Sequence, residues 1–352
     1  MSRKGAETYY NNTSFKGKKE KKKWSAKKKI IVVIVIILLI ILSCVLGVYL
    51  YAKHKLGYMN YDAIDTNDLD VNSNLYNDVD TGLTKDEFSS VTNIVLFGSD
   101  SRNTADISAG RSDTIMICSI NPVKKSIKLI SIPRDTYVTI SGYGKTKINA
   151  AYAYGQEKLS IKTINSNFGL NLDKYVTVDF SGLINVINKI GGVTVTIDKD
   201  EMNYINENIG TLQGYGTVTK LTKYGKVTLT GEQALTHSRN RTTGAGNDFA
   251  RADRQRQVVE AMMKKVSTMS YDKVLKLSDT VLKDIRTNIT SDQILALLAK
   301  LYSDKDSYVK NVISAQVPST TYSKGQYISG IYYFVADMTK AKQDFVDYMY
   351  NK

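Results

Sequence analysis

An uncharged stretch near the amino terminus, from Ile30 to Ala52, constrains this chain more than any other feature of its sequence. It is long enough to cross a lipid bilayer as one helix. Its many β-branched residues would favour a strand in water. In lipid, however, a lone segment has to be helical, because only a helix satisfies all of its own backbone hydrogen bonds. The sequence therefore predicts a single transmembrane helix over residues 30–52.

Basic residues are concentrated on the amino side of this stretch. Eleven of the 48 lysines and arginines lie in residues 1–29, against two of the 34 acidic residues. Lysine and arginine accumulate on the cytoplasmic side of a membrane span, so residues 1–29 are predicted to be a cytoplasmic tail of a single-pass cell-membrane protein. Everything after the span is predicted to be extracellular. The pI of about 9.4 is mainly a property of the tail, which favours anionic lipid over nucleic acid as its partner.

A cleaved signal sequence is the competing interpretation of the same stretch. Ile41 to Cys44 weakly resembles a lipoprotein cleavage site, but Leu42 is a poor residue there and the preceding basic region is long, which favours an uncleaved anchor. Both interpretations place the folded part outside the cell. With Cys44 in the span, Cys118 is the one cysteine left for the exported part. An exported domain without disulfides suits a bacterial exterior.

The remaining sequence divides into a spacer and an α/β domain. Residues 53–88 are polar, without sustained periodicity, and are predicted to be an extracellular spacer. In residues 89–352, short apolar runs alternate with helical patterns, which predicts an α/β layer fold. The predicted strands are Asn93–Phe97, Thr114–Ile120, Ser126–Ile132, Tyr175–Phe180 and Val193–Ile197. The predicted helices are Lys147–Gly155, Ser160–Asn167, Gly182–Lys189, a short one after Thr230, Phe249–Met269, Ser291–Leu301 and Ala336–Tyr348. Residues 200–230 are predicted to form loops and a hairpin.

Charged side chains lie where the predicted strands begin and end. Asp100 follows the first strand and Asp113 opens the second, while Arg134, Asp135 and their neighbours follow the third. Proteins of the α/β class build their sites at the carboxyl ends of strands. A lone aspartate at such a place is more often a turn residue, so the argument depends on the set rather than on any one member.

Four arginines between residues 239 and 254 point to a phosphate site. Arg239 and Arg241 project the same way if their segment is extended. Arg251, Arg254 and Gln255 share one face of a helix. Lysine dominates elsewhere in the chain, whereas arginine binds phosphate through paired hydrogen bonds. The competing interpretation is a structural ion-pair network of these arginines with nearby aspartates; its candidate acidic members are Asp135, Asp248 and Asp253.

The sequence lacks the residue patterns that other kinds of active site require. The sequence contains no P-loop motif and no nucleophile elbow. Its two histidines, His54 and His237, have no zinc-site spacing, and His237 is expected to be structural. The carboxylate and arginine set that remains suits phosphoryl transfer, in which catalysis is mainly positioning and charge neutralisation. Oxygen ligands alone would select Mg²⁺ or Mn²⁺.

At these residues the chain resembles the LytR-CpsA-Psr family of cell-envelope proteins. The matching segments, in order, are Asn93–Arg102, Arg111–Thr114, Ser131–Thr136, Lys147–Asn149, Gly191–Val193, Leu229–Leu235, Arg239–Arg241 and Asp248–Gln255. They cover about residues 90 to 270, and an ordered set of this kind is far more specific than one motif. Two positions depart from the family pattern: Ala250 stands where a glycine is expected, and His237 where an aromatic residue is common.

The resemblance implies a phosphotransferase that moves an undecaprenyl-pyrophosphate-linked anionic glycopolymer, of the teichoic acid or capsule type, onto peptidoglycan. It also implies a central mixed β-sheet flanked by helices, with an apolar tunnel for the polyprenyl chain. Residues of Phe180–Ile190 and Val258–Val266 are candidates for the tunnel wall or for ordinary core. By motif position, the implied catalytic residues are Asp100, Arg134, Arg239, Arg241 and Arg251. The implied ligands of Mg²⁺ are Asp100 and Asp113, and those of pyrophosphate are Arg134, Arg239, Arg241, Arg251, Arg254 and Gln255.

Three other functions stay open on the sequence alone. A lipid-pyrophosphate hydrolase would use the same site with water as the acceptor. A non-catalytic regulator would depend on the basic tail, and a glycan-binding scaffold would retain ligand without turnover. In the transferase hypothesis, Asp135 or a metal-bound carboxylate accepts the proton of the attacking sugar hydroxyl.

Overall fold

The computed structural model describes residues 43, 47–99, 110, 112–211, 219–244, 248–270, 273–274 and 282–351. The predicted tail and most of the predicted transmembrane helix, residues 30–42 and 44–46, lie outside these ranges, as does Asp100. The chain divides into two units, Met1–Tyr51 and Ala52–Lys352. In the first unit, residues 47–51 are helical. Among the described residues, no helix combines the length and the apolar character needed to span a membrane.

A seven-stranded mixed sheet forms the centre of the second unit. Its strand order is β1-β10-β7-β2-β3-β4-β11. The bounds are β1 Asn60–Tyr61, β2 Thr92–Ser99, β3 Ser112–Asn121, β4 Ser126–Ser131, β7 Lys174–Asp179, β10 Ile285–Thr287 and β11 Val312–Gln316. The pairs β2–β7, β4–β11 and β1–β10 are parallel and the other three are antiparallel. The predicted α/β class and central mixed sheet are confirmed.

In the described part of the chain, three two-stranded ribbons and a set of α-helices surround this sheet. The ribbons pair β5 Tyr137–Ile140 with β6 Gly144–Lys147, β8 Val193–Ile197 with β9 Gly225–Leu229, and β12 Ser323–Ile328 with β13 Ile331–Ala336. The helices are α1 Leu75–Asp78, α2 Lys85–Ser90, α3 Ala150–Phe168, α4 Phe180–Lys189, α5 Lys199–Asn208, α6 Gly231–Arg239, α7 Asp248–Ser267, α8 Ser291–Ser303, α9 Lys305–Lys310 and α10 Met338–Val346.

Alternation of side chains along the central strands separates two layers. Val95 and Phe97 of β2 belong to a core that α3 and α10 complete, for example through Phe168 and Phe345. The intervening Leu96 faces the opposite side, with Met116 of β3 and residues of α7 and α9. This period-two division follows from strand geometry. The second layer contains the candidate site.

The strand termini form two opposite sides of the sheet, and these two sides carry different residues. Ser99 of β2 pairs with Ser112 of β3 and with Asp179 of β7, and β4 ends nearby at Ser131. We call this the site edge. At the opposite edge β2 begins at Thr92, the turn after Asn121 joins β3 to β4, and β11 begins. We call this the basal edge.

Three segments differ from their predictions. Residues 53–88, predicted as a spacer, contribute β1 to the sheet and bury Leu69, Leu75 and Phe88 in the main core, because isolated large apolar residues anchor an otherwise polar segment. Residues 200–230 include α5, which begins with a capping box between Asp198 and Glu201. The two helices predicted over 147–155 and 160–167 form the single element α3, interrupted by non-helical backbone at residues 155–156.

Candidate active site at the mouth of an apolar cavity

Three arginines from separate parts of the chain meet at the site edge. Arg134 follows β4, Arg241 follows α6, and Arg251 lies in the first turns of α7. Two carboxylates stand between them: Asp113 near the start of β3 and Asp248 at the start of α7. The sequence predicted that these arginines converge, and the ion-pair contacts below give the arrangement its geometry.

Arg134 makes the shortest contact in this cluster. Its Nη1 donates to Asp113 Oδ1 at 2.8 Å, and its Nε lies 3.4 Å from Asp248 Oδ2. Arg251 reaches both carboxylates, with Nη2 at 3.4 Å from Asp248 Oδ1 and Nη1 at 3.8 Å from Asp113 Oδ2. Arg241 does the same, with Nε at 3.4 Å from Asp248 Oδ1 and Nη2 at 3.9 Å from Asp113 Oδ2.

Most of these contacts are too long to be strong hydrogen bonds, so the arginines retain donors for a ligand. Over the described part of the chain, the buried Nε atoms of Arg134 and Arg251 have no hydrogen-bond partner. The predicted ion-pair network therefore exists around Asp113 and Asp248, but it leaves donors unused. A buried guanidinium with unused donors is costly unless an anion completes its partners.

Burial of Arg251 has an electrostatic consequence. Only 4% of the residue is exposed. Burial, together with the positive charge of Arg134, lowers the pKa of Arg251 to about 10 despite the attraction of Asp248 and Asp113. Bringing a phosphate next to it would restore the preference for the charged form. The site is therefore organised to receive negative charge.

Asp135 and Asp248 form a carboxyl pair beside the arginines. A side-chain hydrogen-bond interaction between the two is among the causes of the pKa shift of each. Burial and this bond raise the pKa of Asp135, although Lys147, with Nζ 2.6 Å from Asp135 Oδ1, opposes the shift. For Asp248, burial acts to raise the pKa, but the shared bond and Arg251 outweigh it and hold the pKa below its ordinary value. Of the two, Asp135 is therefore the carboxyl group that binds a proton more readily.

Arg239 and Gln255 line the cavity that opens beside the cluster. The Arg239 guanidinium lies 5.0 Å from the ring centroid of Phe180, a cation–π contact between the end of α6 and the start of α4. Asp179 caps α4 by accepting from the Gly182 amide at 2.7 Å. The cap and the ring together fix where Arg239 can point.

Arg254 lies apart from the cluster. Its Nε donates to Glu201 at 2.6 Å, while Nη1 and Nη2 donate to the carbonyl oxygens of Asn240 and Thr243. These bonds hold the loop that carries Arg241. A direct contact of Arg254 with pyrophosphate stays a prediction; the structure gives this side chain a positioning role.

Of the metal site predicted at Asp100 and Asp113, only Asp113 can be located, because Asp100 lies outside the described residues. Within the described ranges, no three His, Cys, Asp or Glu side chains are grouped as a metal site. Asp113 lines the cavity mouth with a carboxylate beside the arginines. It offers the oxygen chemistry that Mg²⁺ prefers when substrate phosphates supply further ligands.

A cavity of about 910 Å³ extends from the arginines between the sheet and helix α7. Arg251 and Val266, both in its wall, are fifteen residues apart on α7, which corresponds to about 22 Å at 1.5 Å per residue. The apolar wall residues include Leu96, Met116, Val176, Val178, Phe180, Leu183, Val258, Val259, Met262, Met263, Leu298 and Leu301. Both segments predicted as candidates for the tunnel wall contribute to it.

Two residues outside the cavity wall, the buried His237 and the half-buried Cys118, are structural by their surroundings. Burial lowers the pKa of His237, which is completely covered on α6. Burial also raises the pKa of the Cys118 thiol to about 12, which makes this cysteine a poor nucleophile.

Some members of the site were not predicted as such. Asp248 entered the sequence analysis only as an ion-pair partner, Phe180 only as a candidate for the tunnel wall, and Lys147 had no assigned role in the cleft. Asp248 carries a usable signal, because an acidic residue at a helix start next to two arginines is well placed to orient them. Lys147 carries none, since its role depends on the β5–β6 ribbon bringing it to Asp135.

Comparison with known proteins assigns the chain to one family, by its sequence and by its fold. The model of the LytR_cpsA_psr family matches residues 48–346. The chain belongs to the LytR-CpsA-Psr family. Within the family it is 32% identical over 314 residues to a Bacillus subtilis protein named polyisoprenyl-teichoic acid–peptidoglycan teichoic acid transferase TagV, covering 86% of this chain and 74% of that protein.

Two further relatives agree with this assignment. A Bacillus cereus protein named polyisoprenyl-teichoic acid–peptidoglycan teichoic acid transferase TagU is 32% identical, over 85% of this chain and 92% of its own length. The solved structure described as TagT bound to LIIa-WTA has a TM-score of 0.60 and 26% identity, covering 78% of this chain and 94% of that one. The family's α/β fold is therefore the fold of this chain.

Proposed function

We propose that this protein transfers an anionic glycopolymer, of the teichoic acid or capsule type, from a polyprenyl pyrophosphate carrier to peptidoglycan. The observation that carries the proposal is the union of two features in one site. Arg239, Arg241 and Arg251 line one end of the cavity, and about 22 Å of apolar wall follows. A lipid-linked pyrophosphate has the matching order of parts, a charged head followed by an apolar tail.

The relatives support the same substrate class. TagV and TagU are named as polyisoprenyl-teichoic acid–peptidoglycan teichoic acid transferases. The TagT structure is described as bound to LIIa-WTA. This chain spans 74% of the TagV protein, 92% of the TagU protein and 94% of the TagT chain.

In the proposed reaction, arginine side chains bind and orient the pyrophosphate. Arg134, Arg241 and Arg251 neutralise the charge on its oxygens, which is the main task in phosphoryl transfer. A peptidoglycan sugar hydroxyl attacks the glycan-side phosphorus, a new P–O bond forms, and the bond to the bridging oxygen breaks. Polyprenyl phosphate leaves with the electron pair of that bond. The hydroxyl proton passes to Asp248, because Asp135 binds its own proton more readily and Asp248 is the ionised carboxylate beside the arginines.

Magnesium or manganese fits the same end of the cavity. Asp113 would hold the ion together with Asp100, which the sequence places just after β2. A bound ion would supply additional positive charge against the phosphate oxygens. The arginines and the carboxyl pair keep the roles given above.

We also propose that residues 30–52 anchor the protein in the cell membrane, with residues 1–29 in the cytoplasm and the α/β domain outside. The uncharged stretch and the basic residues before it support this arrangement. It brings the cavity to the compartment in which both peptidoglycan and the lipid-linked donor are accessible.

A reconstitution assay tests the transferase proposal. The full chain is incubated in vesicles with a synthetic polyprenyl-pyrophosphate-linked glycan and Mg²⁺, with and without peptidoglycan fragments. We expect a glycan–peptidoglycan product only when the fragments are present. Free glycan phosphate formed equally well without fragments would identify a lipid-pyrophosphate hydrolase instead, and retention of ligand without any product would identify a scaffold.

Matched variants connect the product to the arginine site. Arg241→Ala is suitable because 44% of this side chain is exposed, so its loss leaves the core intact. Lys189→Ala removes a charge from the exposed face of α4, away from the cleft, and serves as the control. We expect Arg241→Ala to lower product formation by at least about tenfold, as the loss of one charge-assisted contact predicts. Equal activity of the two variants would contradict the proposal.

A further inference from the structure

The apolar cavity continues to the basal edge of the sheet, far from the arginines. Its wall there includes Ile127 at the start of β4, Val266 near the end of α7, and Leu298 and Leu301 of α8. Ile127 pairs with Val312 at the start of β11. The end of the cavity opposite the catalytic arginines therefore lies under α8 and the short helix α9.

Helix α8 covers this end unusually loosely. None of its residues is buried, although its sequence is rich in leucine. Leu298 is 43% exposed and Tyr302 is 45% exposed, and both also line the cavity. Val266 is 36% exposed on the opposite wall. These apolar side chains contact both the cavity and solvent, so they form an apolar rim around an opening.

Lysines accompany these apolar residues on the same edge. Lys300 and Lys310 are exposed on α8 and α9, Lys305 lines the cavity, and Lys124 and Lys125 lie in the β3–β4 turn beside exposed Val123. The turn is joined to the helices by an ion pair between Lys125 and Asp304. The other acidic residues of these two helices are Asp292, which pairs with Lys53, and Asp306. Cationic charge predominates at the rim.

The amino-terminal end of the folded domain reaches the same place. Lys53 Nζ lies 2.9 Å from Asp292 Oδ2, at the start of α8. The uncharged stretch of the sequence ends one residue earlier, at Ala52. The chain thus enters the α/β domain at the helix that covers the basal opening. We name Val123, Lys124, Val266, Leu298, Lys300, Tyr302, Lys305 and Lys310 the basal rim.

We propose that the basal rim docks on the membrane surface, with its apolar residues in the interfacial region and its lysines on anionic phospholipid headgroups. Apolar side chains ringed by lysine are the usual composition of such surfaces. In this orientation a polyprenyl chain passes from the bilayer into the cavity between α8 and α7 without crossing water. The inference rests on the proposed function and adds where, and against which lipids, the carrier enters.

Photo-cross-linking in vesicles tests the docking directly. The full chain carries photoactivatable benzoylphenylalanine in place of Leu298, or in place of Tyr327 as the control, and is reconstituted in phosphatidylglycerol–phosphatidylcholine vesicles. Tyr327 is 77% exposed in the ribbon that contacts the start of α7 through Phe334, at the arginine end of the molecule. We expect phospholipid adducts, identified by mass, at position 298 and only background at 327.

Charge variants test the role of the lysines. Lys300→Gln and Lys310→Gln should each lower the docking equilibrium by about fivefold in vesicles that contain phosphatidylglycerol. Lys324→Gln, in the ribbon at the arginine end, should leave the adduct yield unchanged. Arg241→Ala should lower transfer by at least about tenfold yet leave the adduct at position 298, so a failure of the transferase proposal is separable from a failure of docking. Equal adducts at 298 and 327, or cross-links from 298 to protein instead of lipid, would overturn the inference.

Discussion

Two arginines of helix α7 allow binding chemistry to be separated from burial. Arg251 and Arg256 are five residues apart and both are more than nine-tenths buried. Burial lowers the pKa of each. Arg251 faces Asp113 and Asp248 at the cavity mouth, whereas Arg256 donates to Asp253 at 3.0 Å and lies outside the cavity wall. Their substitution should have similar effects on folding and different effects on transfer.

We expect Arg251→Ala to lower the transfer rate by about a hundredfold or more, because about two charge-assisted contacts to phosphate are lost. Arg251→Lys should recover only part of the rate, since lysine restores charge without the paired donors. Arg256→Ala should keep the rate within about threefold of the native protein, because surface and packing changes outside a site act mainly on stability. Rates and urea unfolding curves are measured for all three. Equal loss of rate in the two alanine variants would assign the effect to misfolding.

The carboxyl pair gives the site a defined pH dependence. Since the pKa of Asp135 is raised, mainly by burial and the bond to Asp248, the folded state holds this proton more tightly than the unfolded state does. The stabilisation is present below the ordinary aspartate pKa and is lost as the pH rises through the raised value. Asp135→Asn removes this loss. We therefore expect the free energy of unfolding of Asp135→Asn, relative to the native protein, to increase between pH 4 and pH 7.

Urea unfolding at several pH values measures that difference. Asp344→Asn is a suitable control, since Asp344 accepts from Tyr322 at 2.6 Å away from the cleft. A relative free energy for Asp135→Asn that stays constant, or falls, over the same range would contradict the assignment of the proton to Asp135.

At the scale of elements, the packing of α6 against α4 sets the geometry of the cavity mouth. Phe180 begins α4 and Arg239 ends α6, and the two side chains are in contact. The helices approach closely because Gly231 has no side chain. A Cβ there would lie 2.4 Å from the Ile184 carbonyl oxygen and 2.7 Å from its Cα. Any larger residue has to push the two helices apart.

We expect Gly231→Ala to destabilise the protein by about 1–3 kcal/mol, the usual cost of overpacking. The same change should weaken pyrophosphate binding, because separation of the helices removes Phe180 from Arg239. Gly210→Ala is the matched control, since an added methyl group at Gly210 meets nothing within 4 Å. Melting temperature and binding of a soluble polyprenyl pyrophosphate are measured for both. A Gly231→Ala protein as stable as the control would mean that the helices separate without cost.

Local pattern explains which elements the sequence could predict. The strand expected at Asn93–Phe97 is observed as Thr92–Ser99, and the helix expected at Ser291–Leu301 as Ser291–Ser303, because both have a continuous apolar period and clear ends. Helix α5 was missed although Asp198 and Glu201 form a capping box, since its interior is polar. The strand order was beyond prediction: β10 and β11 pair with strands more than a hundred residues earlier.

The same distinction applies to the site. The convergence of Arg134, Arg241 and Arg251 could be predicted, because residue type and position at strand and helix ends carry that information. The separate role of Arg254 could not, since its partners Glu201 and Thr243 come from α5 and a loop. The spacing of three residues predicted that Arg251 and Arg254 share one face of α7. In the structure, the Arg254 side chain instead turns toward partners outside the arginine cluster.

At the scale of the whole molecule, the polarity of the residues along one cavity changes from one end to the other. Cationic side chains and carboxylates occupy the site edge, apolar residues line the middle, and lysines with exposed apolar residues occupy the basal edge. This order matches a substrate with an anionic head and a long hydrocarbon chain. It also predicts that the middle of the cavity matters only for substrates long enough to reach it.

Met262 lies in that middle section, half-buried on α7 and in the cavity wall. Met262→Trp should fill part of the cavity, so that a long polyprenyl chain leaves several methylene groups in water. At about 0.8 kcal/mol for each methylene group, we expect the KM for an undecaprenyl substrate to rise by about tenfold or more. The KM for a carrier with one or two isoprene units should stay near its native value, because such a carrier ends before it reaches position 262.

Met202→Trp controls for bulk, since Met202 packs against the same group of buried apolar residues as Met262 but lies outside the cavity wall. It should alter both KM values equally or leave both unchanged. Transfer rates with long and short carriers, measured on all three proteins, give the comparison. If Met262→Trp raised both KM values by the same factor, the cavity would act only through the arginine end. The apolar wall would then contribute to stability rather than to binding of the lipid.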